Sequence, residues 1–134
     1  MKIAIVGSRT YSENDYPLFC SFMKKYFGEE KDISFISGGG AGIDRFAEWY
    51  AKEKNIHNEV VKPDFIMYGK RAFTARKIDV AKKADVIFAM WDGWSKDTRD
   101  FVVIGKNFGK KIVKEIYEGD GYDYLIDSAF PGEI

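Results

Sequence analysis

The sequence predicts an α/β fold built on a five-stranded parallel sheet with helices on both faces. Three observations carry that expectation. Short apolar, β-branched runs alternate with segments of helical period, and the series ends on a strand, the pattern of successive βα units. Residues 84–91 (ADVIFAMW) are apolar on nearly every position, as a strand buried on both faces requires. The second apolar run turns into the second periodic segment through Ser37-Gly38-Gly39-Gly40-Ala41-Gly42-Ile43-Asp44. A strand that turns through glycines into a helix presents backbone N–H groups and the positive end of the helix dipole to an anion.

Taken in order, residues 2–6 form the first strand, and Gly7-Ser8-Arg9 a turn. Residues 15–27 read as a helix whose stripe is Leu18, Phe19, Phe22, Met23 and Tyr26; Asp15 can cap it, and Pro17 is tolerated in a first turn. Gly28 ends it. Residues 33–36 are the second strand. Ile43, Phe46, Ala47 and Tyr50 give the second helix its spacing, to about Lys54. Residues 57–61 are the third strand, stopped by Pro63, and 70–83 the third helix. Residues 84–91 are the fourth strand and 92–97 a loop. Phe101, Ile104, Gly105 and Phe108 mark the fourth helix, and 111–117 the fifth strand. Sheet order 3-2-1-4-5 follows the doubly wound pattern, in which ligands bind at the carboxyl ends of the strands. Residues 118–134 carry five acids and no base; Tyr122, Tyr124, Leu125, Ile126 and Phe130 suggest that this extension packs on the domain or on a partner subunit.

The length of 134 residues fits one domain, 1–134, and 46% hydrophobic residues suffice for a core. Lys+Arg and Asp+Glu are both 21, so no global field draws the chain to nucleic acid or membrane. Cys20, the single cysteine, excludes an intramolecular disulfide and reads as a buried thiol. The start is too short for a signal peptide and no apolar run reaches the roughly 18 residues of a membrane span; a cytoplasmic protein is expected. No group of His, Cys or acids has metal spacing, and no cofactor is expected.

Three loops converge on the carboxyl edge: Gly7-Ser8-Arg9, the glycine loop, and Asp92-Gly93-Trp94-Ser95-Lys96-Asp97-Thr98. Each offers glycine, a hydroxyl and N–H groups beside a helix start, a set that suits a phosphate and a ribose. The expected ligand-binding residues are Gly7, Ser8, Arg9, Gly38, Gly39, Gly40, Ala41, Gly42, Asp44, Arg76, Asp92, Gly93, Ser95 and Thr98. Arg9 brings a fork of donors for a phosphate. Asp44 either caps its helix or meets a ribose hydroxyl. Residues 70–83 hold six bases and one acid, Asp79; Lys82 and Lys83 read as a solvated face, whereas Arg71 and Arg76 enter from the ligand edge. Tyr68 and Trp94 either stack on a base or pack ordinarily. His57, the only histidine, starts a strand at the opposite edge.

These residues resemble the SLOG superfamily, which takes in the DNA-processing protein DprA/Smf, the LOG phosphoribohydrolases and the YspA-like small proteins. The resemblance rests on Gly7-Ser8-Arg9, residues 37–44, Pro63-Asp64-Phe65, Tyr68-Gly69-Lys70, Ala75-Arg76-Lys77, Ala84-Asp85-Val86-Ile87 and residues 92–98, in that order, over about residues 2–117. It is closest to the YspA-like branch. It implies a Rossmann-like three-layer sandwich that binds nucleotides or nucleotide-derived ligands such as ADP-ribose, and association into a homodimer or larger oligomer.

Two positions depart from the pattern. Asp97 stands where the family has glycine, so this loop either repels a phosphate or binds a ribose hydroxyl. LOG enzymes carry a glutamate three residues after the loop threonine; nucleoside deoxyribosyltransferases, of similar fold, have an acid at much the same place. Here that position is Phe101, and the nearest acid is Asp100. The leading expectation is therefore a nucleotide-derived small molecule as ligand. The alternative is an N-glycosidic hydrolase or transferase with Arg76 and Asp100 as catalytic residues. Single-stranded DNA binding ranks last, because the net charge is zero and the chain shows no second domain.

Overall fold

The computed structural model describes residues 1–119. Five strands, β1 (Lys2–Gly7), β2 (Ser34–Ser37), β3 (Asn58–Val60), β4 (Val86–Trp91) and β5 (Lys111–Ile116), form one sheet in the order β3-β2-β1-β4-β5. Every pairing is parallel. The helices are α1 (Tyr16–Phe27), α2 (Ile43–Lys54), α3 (Phe65–Tyr68), α4 (Ala72–Lys83) and α5 (Lys96–Asn107). The fold class and strand order are those the sequence predicts, and the fold is Rossmann-like.

Alternation along the central strands divides the interior into two layers. Ile3 and Ile5 of β1, with Val86, Phe88 and Met90 of β4, face an aromatic layer under α1 and α2, filled by Phe19, Phe22, Phe27 and Phe46. Ala4 and Val6, with Ile87 and Ala89, face a second layer under α4 and α5, closed by Val80, Ala81, Phe101 and Val102. The two central strands thus bury both faces, which is why they read as unbroken apolar runs.

Several elements differ locally from expectation. The third helix does not begin at Lys70: Asp64 accepts the Met67 N–H at 3.0 Å and caps the single turn α3, Gly69 ends it at φ +54, and a 3-10 turn, Gly69–Arg71, leads into α4. Helix α5 begins at Lys96, so Asp97 lies in its first turn and not on a loop. Its buried stripe is Thr98, Phe101, Val102 and Gly105; Phe108 falls past the helix end and is exposed under the Lys82 ammonium. Asp15 precedes α1 without capping it: its buried carboxylate accepts from the Ser12 N–H at 3.0 Å and from the Tyr117 hydroxyl. Cys20 is half-buried, and burial raises its thiol pKa. No helix among the described residues is long and apolar enough to cross a membrane. The expected packing of 118–134 falls, from residue 120 on, outside the described residues.

Candidate functional site

The carboxyl ends of β1, β2 and β4 open into a cavity of about 320 Å³. Its floor is apolar: Ile5 and Val6 from β1, Val80 from α4 and Phe101 from α5. Its walls are polar. Ser8, Arg9 and Thr10 come from the turn after β1, Ser37 and Gly38 from the end of β2, Asp44 from α2, Arg76 and Lys77 from α4, and Ser95, Lys96, Asp97 and Thr98 from the start of α5. The floor follows from the strand alternation and the walls from the three loops that parallel strands carry to one edge.

Of the expected ligand residues, Gly7, Ser8, Arg9, Gly38, Asp44, Arg76, Ser95 and Thr98 line this cavity. Gly39, Gly40, Ala41, Gly42, Asp92 and Gly93 do not, and each loop shows why. Asp44 turns back over the glycine loop and accepts the Gly40 N–H at 2.9 Å and the Gly38 N–H at 3.4 Å. Those donors are already engaged by a carboxylate, so the loop is a clasp closed on Asp44, and Asp44 does not cap its helix by side chain. Gly42 is buried, with φ +64; a Cβ there would lie 2.5 Å from the Ser8 carbonyl oxygen. Its role is to let the turn after β1 lie on the start of α2.

Asp92 is likewise spent inside its own loop. Its Oδ1 accepts from the Trp94 N–H at 2.9 Å and the Ser95 N–H at 2.7 Å, and its Oδ2 from the Ser95 hydroxyl at 2.5 Å. Its own N–H donates to Ser8 Oγ at 3.1 Å. Burial works against the charged carboxylate, but the Ser95 and Trp94 donors outweigh it and hold the pKa below its ordinary value. The buried Ser8 hydroxyl ties the first loop to the third.

The charges divide unevenly. Lys77, only 6% exposed, donates to Asp97 Oδ1 at 3.0 Å. That bond lowers the Asp97 pKa and neutralises the carboxylate that departs from the family pattern. Lys77 carries a wall of the site that sequence reasoning left out; the adjacent basic pair Arg76-Lys77 was the available signal. Asp100 stands 4.0 Å from the Lys77 ammonium, outside the cavity lining, and Phe101 faces the cavity instead. The structure thus does not bring together the proposed catalytic pair, Arg76 and Asp100, in the cavity. Arg76 lies against Gly38 and over the Phe73 ring at 5.5 Å. Burial lowers its pKa, Asp44 and Asp97 oppose that and Arg9 adds to it, and a guanidinium stays charged throughout. Neither Arg9 nor Arg76 has a carboxylate within 4.0 Å among the described residues. No group of described residues could hold a metal ion.

Aromatic rings on the loop before α5 and on the α3–α4 segment face solvent, and Phe73 among them lies under Arg76 of the cavity wall. Trp94 is 78% exposed, and Phe65, Tyr68 and Phe73 of the α3–α4 segment are exposed as well. Lys70 and Arg71 lie between them in sequence. His57 is exposed at the start of β3, on the opposite edge, as expected.

Fold and site together define a Rossmann-like α/β domain with a cation-bearing cavity at the carboxyl edge of its sheet. The chain belongs to the DNA recombination-mediator protein A family, whose model matches residues 1–87. In structure it is similar to DNA processing protein A from Helicobacter pylori, which was described for its single-stranded DNA binding mode. The TM-score is 0.64 at 18% identity, over 96% of this chain and 73% of that one. No curated protein matches the chain in sequence.

These findings correct the expected function and partner. A nucleotide-derived small molecule as the leading ligand, with N-glycosidic chemistry as the alternative and nucleic acid last, does not fit membership of a DNA-processing family. A net charge of zero is not a uniform one. Residues 120–134 hold four acids and no base, so residues 1–119 carry four more bases than acids.

Proposed function

We propose that this chain binds single-stranded DNA along the carboxyl edge of its sheet. The observation that carries the reading is the interleaving of cations and rings there: Arg9 and Arg76 without carboxylate partners among the described residues, Lys96 beside them, and Trp94, Phe73, Tyr68 and Phe65 exposed around them. Proteins that bind single strands combine a positive groove for the backbone with aromatic faces for unstacked bases. Family membership supports the same reading. In it, Arg9 and Arg76 take phosphates, the apolar floor under Val6 and Phe101 receives a sugar or base edge, and the hydroxyls of Ser8, Ser95 and Thr98 position the backbone. Rings accept any base, so binding is sequence-tolerant.

The test is the salt dependence of binding to a fluorescein-labelled oligothymidine of about 20 nucleotides, a length that exceeds typical site sizes of single-strand binders. The logarithm of affinity falls linearly with that of salt, at about 0.7 per phosphate contacted. Arg9→Ala and Arg76→Ala each weaken binding roughly tenfold and each shallow the salt slope by about 0.7. Wild-type protein that fails to bind at low salt, or variants that bind as the wild type does, would refute the reading.

A further inference from the structure

Lys77 and Asp97 form an ion pair whose two ends differ sharply in burial. The Lys77 side chain is 8% exposed and the Asp97 side chain 71%. Both line the cavity, Lys77 from α4 and Asp97 from the first turn of α5. An ammonium stripped of water needs an anion beside it, because a buried charge without a partner is strongly destabilising. Here the anion is Asp97, whose Oδ1 accepts from Lys77 Nζ at 3.0 Å; the Asp100 carboxylate, at 4.0 Å, is a weaker second. Asp97 also lies in the field of other cations. Lys77 lowers its pKa most, and Arg9 and Arg76 add to that from longer range. Three cations that line the cavity thus act on one carboxylate, and that carboxylate belongs to the protein. The Lys77 ammonium is fixed by burial. The Asp97 carboxylate stands largely in water, where another anion can take its place.

We propose that Asp97 is a specificity-determining residue: its carboxylate occupies a phosphate subsite centred on Lys77 and flanked by Arg9 and Arg76, and keeps phosphate out of it. A carboxylate at this place repels a second anion and already neutralises the buried ammonium. A strand lying across the cavity is thereby limited to its contacts with Arg9 and Arg76. With Asp97 made neutral, Lys77 takes a phosphate as its partner, in a charge-assisted contact from a largely buried donor. That the phosphate belongs to a single strand rests on the DNA-binding reading; the subsite itself does not.

Two titrations on the full chain separate the claims. Calorimetric titration with inorganic phosphate at fixed ionic strength should show Asp97→Asn binding about tenfold or more tightly than wild type, the worth of one hydrogen bond to a charged group. Asp97→Ser, which also leaves Lys77 a neutral acceptor, should show the same gain. Adding Lys77→Met to Asp97→Asn should abolish it, and Asp100→Asn, which removes the same charge outside the cavity lining, should not reproduce it. Equal phosphate affinity in wild type and both Asp97 variants, or a gain that survives Lys77→Met or appears in Asp100→Asn, would overturn the subsite. Against labelled oligothymidine, Asp97→Asn should bind about tenfold more tightly than wild type near 0.1 M salt and steepen the salt slope by about 0.7, one added phosphate. A gain for inorganic phosphate with no strand binding by either protein would leave the subsite standing and remove the DNA-binding reading. Strand binding by wild type, with the slope unchanged in Asp97→Asn, would remove the subsite and leave that reading in place.

Discussion

Asp92 accepts three hydrogen bonds in a loop of four residues, and that arrangement sets how the site responds to acid. Its pKa and that of Asp97 are both lowered in the folded chain, Asp92 by Ser95 and Trp94 donors that overcome burial, Asp97 chiefly by Lys77. A carboxyl group with a depressed folded pKa binds fewer protons than it does unfolded. Its contribution is therefore present above the ordinary value of 3.8 and is lost as pH falls through the folded one. Denaturant unfolding between about pH 5 and pH 2.5 should show wild-type stability dropping with acid across the carboxylate range. Asp92→Asn keeps an acceptor but no titrating proton, so it should start less stable and lose less over the interval. An equal acid-induced loss in both proteins would mean that Asp92 is not held as an anion. The same residue explains one misreading of the sequence. Asp92 has the type and place of a ligand residue, but its carboxylate is consumed by the backbone that positions Ser95, and nothing in its spacing distinguishes those uses.

Between elements, the turn after β1 lies directly against the start of α2. The Ile43 N–H donates to the Ser8 carbonyl at 3.4 Å across Gly42. Gly42 and Gly109 both have positive φ, +64 and +70, but a Cβ on Gly109 meets nothing within 4 Å. Gly109→Ala should therefore cost only the left-handed strain, about 1–2 kcal/mol. Gly42→Ala adds a clash with the Ser8 and Arg9 backbone, and should cost more, about 3 kcal/mol or above. Urea unfolding of the two variants decides; equal losses would mean that the loop yields and that the seating of α2 on the first turn is soft. At this scale the sequence was most informative. Continuous apolar runs in β1 and β4 and the stripe of α2 follow from burial on two faces or one, and these patterns are local. The break at Gly69 and the start of α5 at Lys96 were missed. Each depends on one residue's backbone angles or on hydrogen bonds between loops, and neither alters a hydrophobic period.

The whole molecule separates its charge. Four acids and no base lie in residues 120–134, and the remainder carries the matching cationic excess, part of it around the cavity as Arg9, Arg76 and Lys96. A composition sum cannot register that separation, which is why the convergence of the three loops was legible in sequence and the partner was not. Single-strand binding at this edge makes a claim about location as well as affinity. Photochemical cross-linking of an oligothymidine carrying 5-bromodeoxyuridine, with mass-spectrometric mapping of the attached peptides, tests it most directly. The adducts should fall on Trp94 and on the segment containing Tyr68 and Phe73, and should fade in the Arg9→Ala and Arg76→Ala proteins as binding weakens. Adducts concentrated at the opposite edge, near His57 or Tyr26, or persisting undiminished in both arginine variants, would contradict the account.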